Sequence, residues 1–138
     1  AGRWEHFHHV ADIGIRGCGT SPARAFERAA LALTAITTVP AVVDTRQEVT
    51  FALEDPDLEL LFYDWINALI YEMAVRGMLF GSFTATIKDN SLTATAGGET
   101  VDRTRHAPAV EVKGATFTQL KVYRAANDVW IAQCVVDV

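Results

Sequence analysis

QEVTFALEDPDLELLFYDWINALIYEMAVRGMLFGSFTATIK, residues 47–88, changes hydrophobic period twice, and that change decides the fold class. Gln47 to Glu54 alternates, with Val49, Phe51 and Leu53 on one side, as a half-buried strand does. Asp55-Pro56-Asp57 then opens a helix whose early acids suit its positive end. Leu58, Leu61, Phe62, Trp65, Leu69 and Met73 recur at helical spacing, while Asp57, Asp64, Asn67 and Tyr71 mark a more polar face. Gly77 is a natural stop, and Met78–Lys88 alternates again as a strand.

Outward from this centre the pattern repeats. On the N-terminal side, residues 3–9 and 11–17 alternate as strands, and Ser21-Pro22 reads as an N-cap followed by the first helical position. Phe26, Ala29, Ala30, Leu33 and Ile36 form a helical stripe through residue 37. On the C-terminal side, a turn at Lys88–Ser91 leads to a strand over Leu92–Ala96 and a turn at Gly97-Gly98. Val110–Val112, Thr116–Tyr123 and Val129–Val138 complete the expected strands, and residues 100–108 are expected to form a loop. With no repeat or linker, residues 1–138 read as one α+β domain: two main helices packed on one face of a largely antiparallel sheet.

The composition narrows the function. Half of the 138 residues are hydrophobic, which is a globular balance. A net charge of −5 with 12 scattered basic residues argues against direct nucleic-acid binding, since tracking phosphates needs clustered cations. No apolar run approaches the roughly 20 residues that span a bilayer. The opening AGRWEHFHH lacks the apolar stretch of a secretory signal, so a cytoplasmic protein is expected. Cys18 and Cys134 read as buried, reduced thiols, without the CxxC spacing of structural zinc.

Asp12 is the residue that strand composition does not explain. It stands in HHVADIGIRG, residues 8–17, among small and β-branched neighbours. A second candidate, Asp137, follows the apolar run Cys134-Val135-Val136, beside the α-carboxylate of Val138. Adjacent carboxylates repel unless a positive charge neutralises them, and a hard cation such as Ca²⁺ or Mg²⁺ would do so. A solvated strand end accounts for the same pattern. His6 and His8 share a strand face at a spacing that can grip zinc, although stacked surface histidines are commoner. Lys113 and Thr116, in VKGATFTQL, could hold an anion such as a phosphate, or simply end a strand in solvent. Asp64 and Glu72 read as a solvated helix face. No P-loop, GxGxxG, GxSxG or HExxH occurs, so a self-sufficient enzyme is not indicated.

Taken in order, HHVADIGIRGCG with SPARAFERAALAL, then LELLFYDWINALIYEMAVRGMLFGSF, then EVKGATFTQLKV with VWIAQCVVDV, resemble the archease family over nearly the whole chain. The resemblance implies an α+β fold and a partner, the RtcB-type tRNA-splicing RNA ligase, whose guanylylation and multiple turnover such proteins promote. It also implies a divalent metal, usually calcium, held by Asp12, Asp137 and Val138, with Lys113 and Thr116 in the same pocket. The sequence departs from the family pattern at His8, where Asp is usual, at Val10 for Thr, at Phe117 for Tyr, and at Val138 for Ile. An alternative from another class is a metal-dependent enzyme acting on a small phosphorylated substrate, with Lys113 as the phosphate partner.

Overall fold

Ser21 and Asp57 start the two long helices as their spacing predicts. In the computed structural model, which describes residues 2–9 and 12–138 apart from the side chains of His8 and His9, the Ser21 hydroxyl accepts from the Arg24 N–H. The Asp57 carboxylate accepts from the N–H groups of Glu59 and Leu60. Each cap satisfies backbone donors that the first turn leaves open, an effect of about 1 kcal/mol. Along the chain the elements run β1 (Arg3–His9), β2 (Asp12–Gly19), α1 (Pro22–Thr37), β3 (Gln47–Glu54), α2 (Leu58–Arg76) and β4 (Met78–Lys88). They continue with β5 (Ser91–Thr100), α3 (Arg103–His106), β6 (Gly114–Ala115), β7 (Lys121–Arg124) and β8 (Trp130–Asp137). The fold is α+β, in agreement with the sequence pattern.

The strands divide between two antiparallel sheets rather than forming one. The first has the order β1-β2-β8-β6, with β7 also paired to β8, and the second has the order β3-β5-β4. The division has a physical cause in α1. Arg24 donates to the Ala85 carbonyl at 2.6 Å, Glu27 accepts from the Ala85 N–H at 2.7 Å, and Thr34 donates to the Phe80 carbonyl at 2.7 Å. The edge of β4 away from β5 is thus satisfied by helix side chains, which ends the second sheet there. The opposite side of α1 packs on β2, where a Cβ on Gly17 would stand 2.1 Å from the Ala25 carbonyl oxygen. Small residues on both elements permit that approach.

The core fills the space around both helices. Phe26 of α1 meets Phe62 of α2 edge-on at 5.1 Å, and Trp65 meets Phe51 of β3 at 5.4 Å, an arrangement that suits aromatic quadrupoles. The buried Trp65 indole N–H donates to the Phe26 carbonyl, so this large side chain leaves no polar atom unpaired.

The C-terminal half departs furthest from the expected pattern. Gly97 and Gly98 lie inside β5 rather than in a turn, opposite a register shift at Phe80/Ser82. A Cβ on Gly98 would come within 1.9 Å of the Leu79 carbonyl oxygen, so close backbone approach accounts for this glycine. Residues 100–108 contain α3, capped by Asp102, rather than forming a plain loop. Val110–Val112 forms no strand, and of the expected strand over Thr116–Tyr123 only the end is strand, in β7; residues 116–120 hold a turn, and the short β6 lies just before them.

Candidate functional site

β2 and β8 bring the two leading candidate residues together. Ile13 pairs with Val136, so the next residues outward on the facing strands are Asp12 and Asp137. Both residues therefore stand at one end of the first sheet, just past its last β2–β8 pair. Asp12 is half-buried and Asp137 exposed. Among the described residues neither has an ion-pair partner. On the other side of β8, Gly114 pairs with Asp137 and adds no side chain there.

Lys113 reaches the same end through its backbone, whose N–H donates to the Asp137 carbonyl at 2.9 Å. Its side chain is exposed. Thr116 lies two residues beyond Gly114, but its hydroxyl is engaged locally: it donates to the Val135 carbonyl at 2.8 Å and accepts from the Thr118 N–H. Asn67, on the polar face of α2, accepts from the Ala115 N–H and ties the helix to β6. Phe117, one of the positions that departs from the family pattern, is 65% exposed and stacks on Tyr63 at 4.6 Å. A ring this exposed gains its order from one neighbour.

The remaining candidates scatter. His6 donates from its ring to the Ala32 carbonyl at 2.9 Å, and the His8 side chain and Val10 lie outside the described residues. Glu72 pairs with Arg76 one turn on, whereas Asp64 faces elsewhere, its carboxyl pushed up by burial and by the nearby Asp55 charge. Cys18 and Cys134 are buried free thiols, and burial pushes Cys134 up to about 12, which keeps it protonated and inert at neutral pH.

The pattern did not single out Glu99, the most heavily partnered carboxylate of the fold. Its side chain is buried and accepts from Arg105 at 2.6 Å, the Asp44 N–H at 2.7 Å, the His106 ring at 3.0 Å and Arg46 at 3.1 Å. The Arg105 hydrogen bond comes first among the causes that hold this carboxyl down at about 2. His106 is buried too: its Nδ1 accepts from the Asp102 N–H, so its Nε2 carries the proton given to Glu99. The local signals for this network were weak, since Glu99 follows two glycines and His106 lies in the least periodic stretch.

The Asp12–Asp137 end can be judged as a cation site by its donors. Among the described residues no three His, Cys, Asp or Glu side chains gather as a metal cluster. Two carboxylates offer fewer than the six to eight oxygens that calcium takes, so the Val138 carboxylate and solvent would have to complete the set. An all-oxygen set suits a hard cation and not zinc.

The family model described as "Archease protein family (MTH1598/TM1083)" matches residues 4–138. An archease from Pyrococcus furiosus is 36% identical over 140 residues, covering 99% of each chain. The solution structure of Methanobacterium thermoautotrophicum protein 1598 superposes with a TM-score of 0.80, at 26% identity and 98% coverage of both chains. A Thermotoga maritima structure described as an archease and possible chaperone has the same fold, with a TM-score of 0.67 at 24% identity over 97% of this chain and 96% of that one. By its sequence over nearly its full length, and by its fold, the chain belongs to the archease family.

Proposed function

We propose that the protein activates an RtcB-type tRNA-splicing RNA ligase, promoting its guanylylation and multiple turnover, and that it works through a divalent cation, calcium by preference, held by Asp12, Asp137 and Val138. The observation that carries this reading is that Asp12 and Asp137 each stand one residue beyond the last β2–β8 pair, Ile13 with Val136, at the same end of the sheet and without an ion-pair partner among the described residues. A cation there would neutralise both carboxylates and join the end of β8 to β2. It would also supply a positive centre at a surface that Lys113 borders with a second positive charge. Membership of the archease family supports an accessory role, as does the description of the Thermotoga maritima relative as a possible chaperone. The protein's own residues do no bond-making in this scheme. They hold the ion and present it to the partner, which carries the reaction.

The test is multiple-turnover RNA joining and ligase guanylylation at substoichiometric ligase, with wild type, Asp12→Asn and Asp137→Asn compared. Wild type is expected to raise turnover, and each variant to lose an order of magnitude or more of that effect while keeping its circular dichroism spectrum. Unchanged turnover with wild type sinks the activator reading. Hydrolysis of a phosphoester panel by the protein alone, lost in Asp12→Asn, would transfer the same ion to an enzymatic role.

A further inference from the structure

The cavity with the clearest chemistry has none of Asp12, Asp137 and Val138 in its lining. It has a volume of about 370 Å³ and opens between the C-terminal half of α2 and the segment 108–112. Its apolar wall includes Ile70, Met73, Met78 and Val101, with Val110 and Val112 on the side of the 108–112 segment. That segment is anchored at both ends. Ala109 N–H donates to the Thr37 carbonyl and the Thr37 hydroxyl to the Val110 carbonyl, each at 2.9 Å, and the Lys113 N–H bonds to Asp137 beyond. Pockets of 300–1,000 Å³ with apolar walls and a few polar groups at the edge are the usual form of small-molecule sites.

Two charged residues border the cavity, Arg103 and Glu111. The two arginines flanking Thr104 in α3 differ sharply. Arg105 is committed to Glu99 and Asp44, whereas Arg103 has no ion pair or side-chain hydrogen bond among the described residues. A cation without a counter-ion above an apolar wall complements a ligand with a hydrocarbon body and an anionic head. Glu111 disfavours a second negative charge, which selects a monocarboxylate over a dianionic phosphate. We propose that this cavity binds a small apolar monocarboxylate, its chain against Ile70, Met73 and Val110 and its carboxylate on Arg103.

The test is a methyl NMR titration of the full chain with sodium octanoate, with octylamine as the charge-reversed probe. Octanoate is expected to give saturable shifts confined to Ile70, Met73, Met78, Val101, Val110 and Val112. Arg103→Gln should weaken binding about tenfold, the loss of one charge-assisted hydrogen bond. Glu111→Gln should tighten it. Ala74→Trp, on an exposed α2 position at the cavity, should abolish the shifts with the rest of the spectrum unchanged; because Arg103→Gln leaves the packing alone, it decides the matter if that variant misfolds. Shifts that do not saturate, that are matched by octylamine, or that persist unweakened in Arg103→Gln would overturn the proposal.

Discussion

Glu99 stands on β5 with four donors aimed at it, while Asp12 and Asp137, at one end of the other sheet, have no ion-pair partner among the described residues. The contrast separates two uses of a carboxylate. Where every oxygen is met by an N–H, as at Glu99, the charge locks α3 and the residues around Asp44 onto β5, and removing it takes from the buried His106 Nε2 its acceptor and from Arg105 its shortest ion pair. Where a carboxylate at a strand end has no ion-pair partner, as at Asp12 and Asp137, the fold gains no ion pair from it. Burial of a satisfied charge thus marks structure here, whereas the strand-end carboxylates add no such lock, and the proposed ion would give them a role.

Substitutions can break this contrast. Glu99→Ala is expected to have the largest effect, lowering the thermal midpoint by something on the order of 10 °C, because partners of a buried charge are left unpaired. His106→Ala should follow with a smaller drop. Acid sharpens the same point. Glu99 has its carboxyl held down from 4.5 to about 2 in the folded chain, so the unfolded chain takes up the proton first as pH falls. The stability it contributes is therefore whole above about 4.5 and is lost progressively toward 2. A series of melts from pH 7 to 2.5 should show that slope in wild type and a shallower one in Glu99→Gln.

The Asp12–Asp137 end should behave in the opposite sense. Without divalent cations, Asp12→Asn or Asp137→Asn is expected to leave the midpoint unchanged, since neither carboxylate has an ion-pair partner to lose among the described residues. Calcium at about a hundred times its dissociation constant should stabilise wild type by about 2.7 kcal/mol and neither variant, as read by melts with calcium and with chelator. Equal calcium responses in all three would remove these residues from the cation site. Phe117→Ala is expected to cost about 0.5–1.5 kcal/mol in denaturant melts, less than the calcium effect, because the exposed stack on Tyr63 is its main order.

Ser21 and Asp57 caps, the stripes through Phe26 and Trp65, and the stop at Gly77 were legible along the chain because each depends on residues a few positions apart. The same holds for alternation in β2, β3 and β4, and for Asp12 as an unexplained carboxylate in a strand. The α+β class follows from those local periods. The division into two sheets does not, because it turns on Arg24, Glu27 and Thr34 reaching an edge of β4 that no local pattern announces. Gly97-Gly98 has the composition of a turn, and only the backbone of Leu79 beside it makes it a strand. Asp12 reaches the same sheet end as Asp137, and Glu99 meets Arg46 and His106, by register and packing between segments separated in the chain. Hydrophobic period records which face of an element is buried, but not which distant element covers it, so the tertiary structure alone decided those partners.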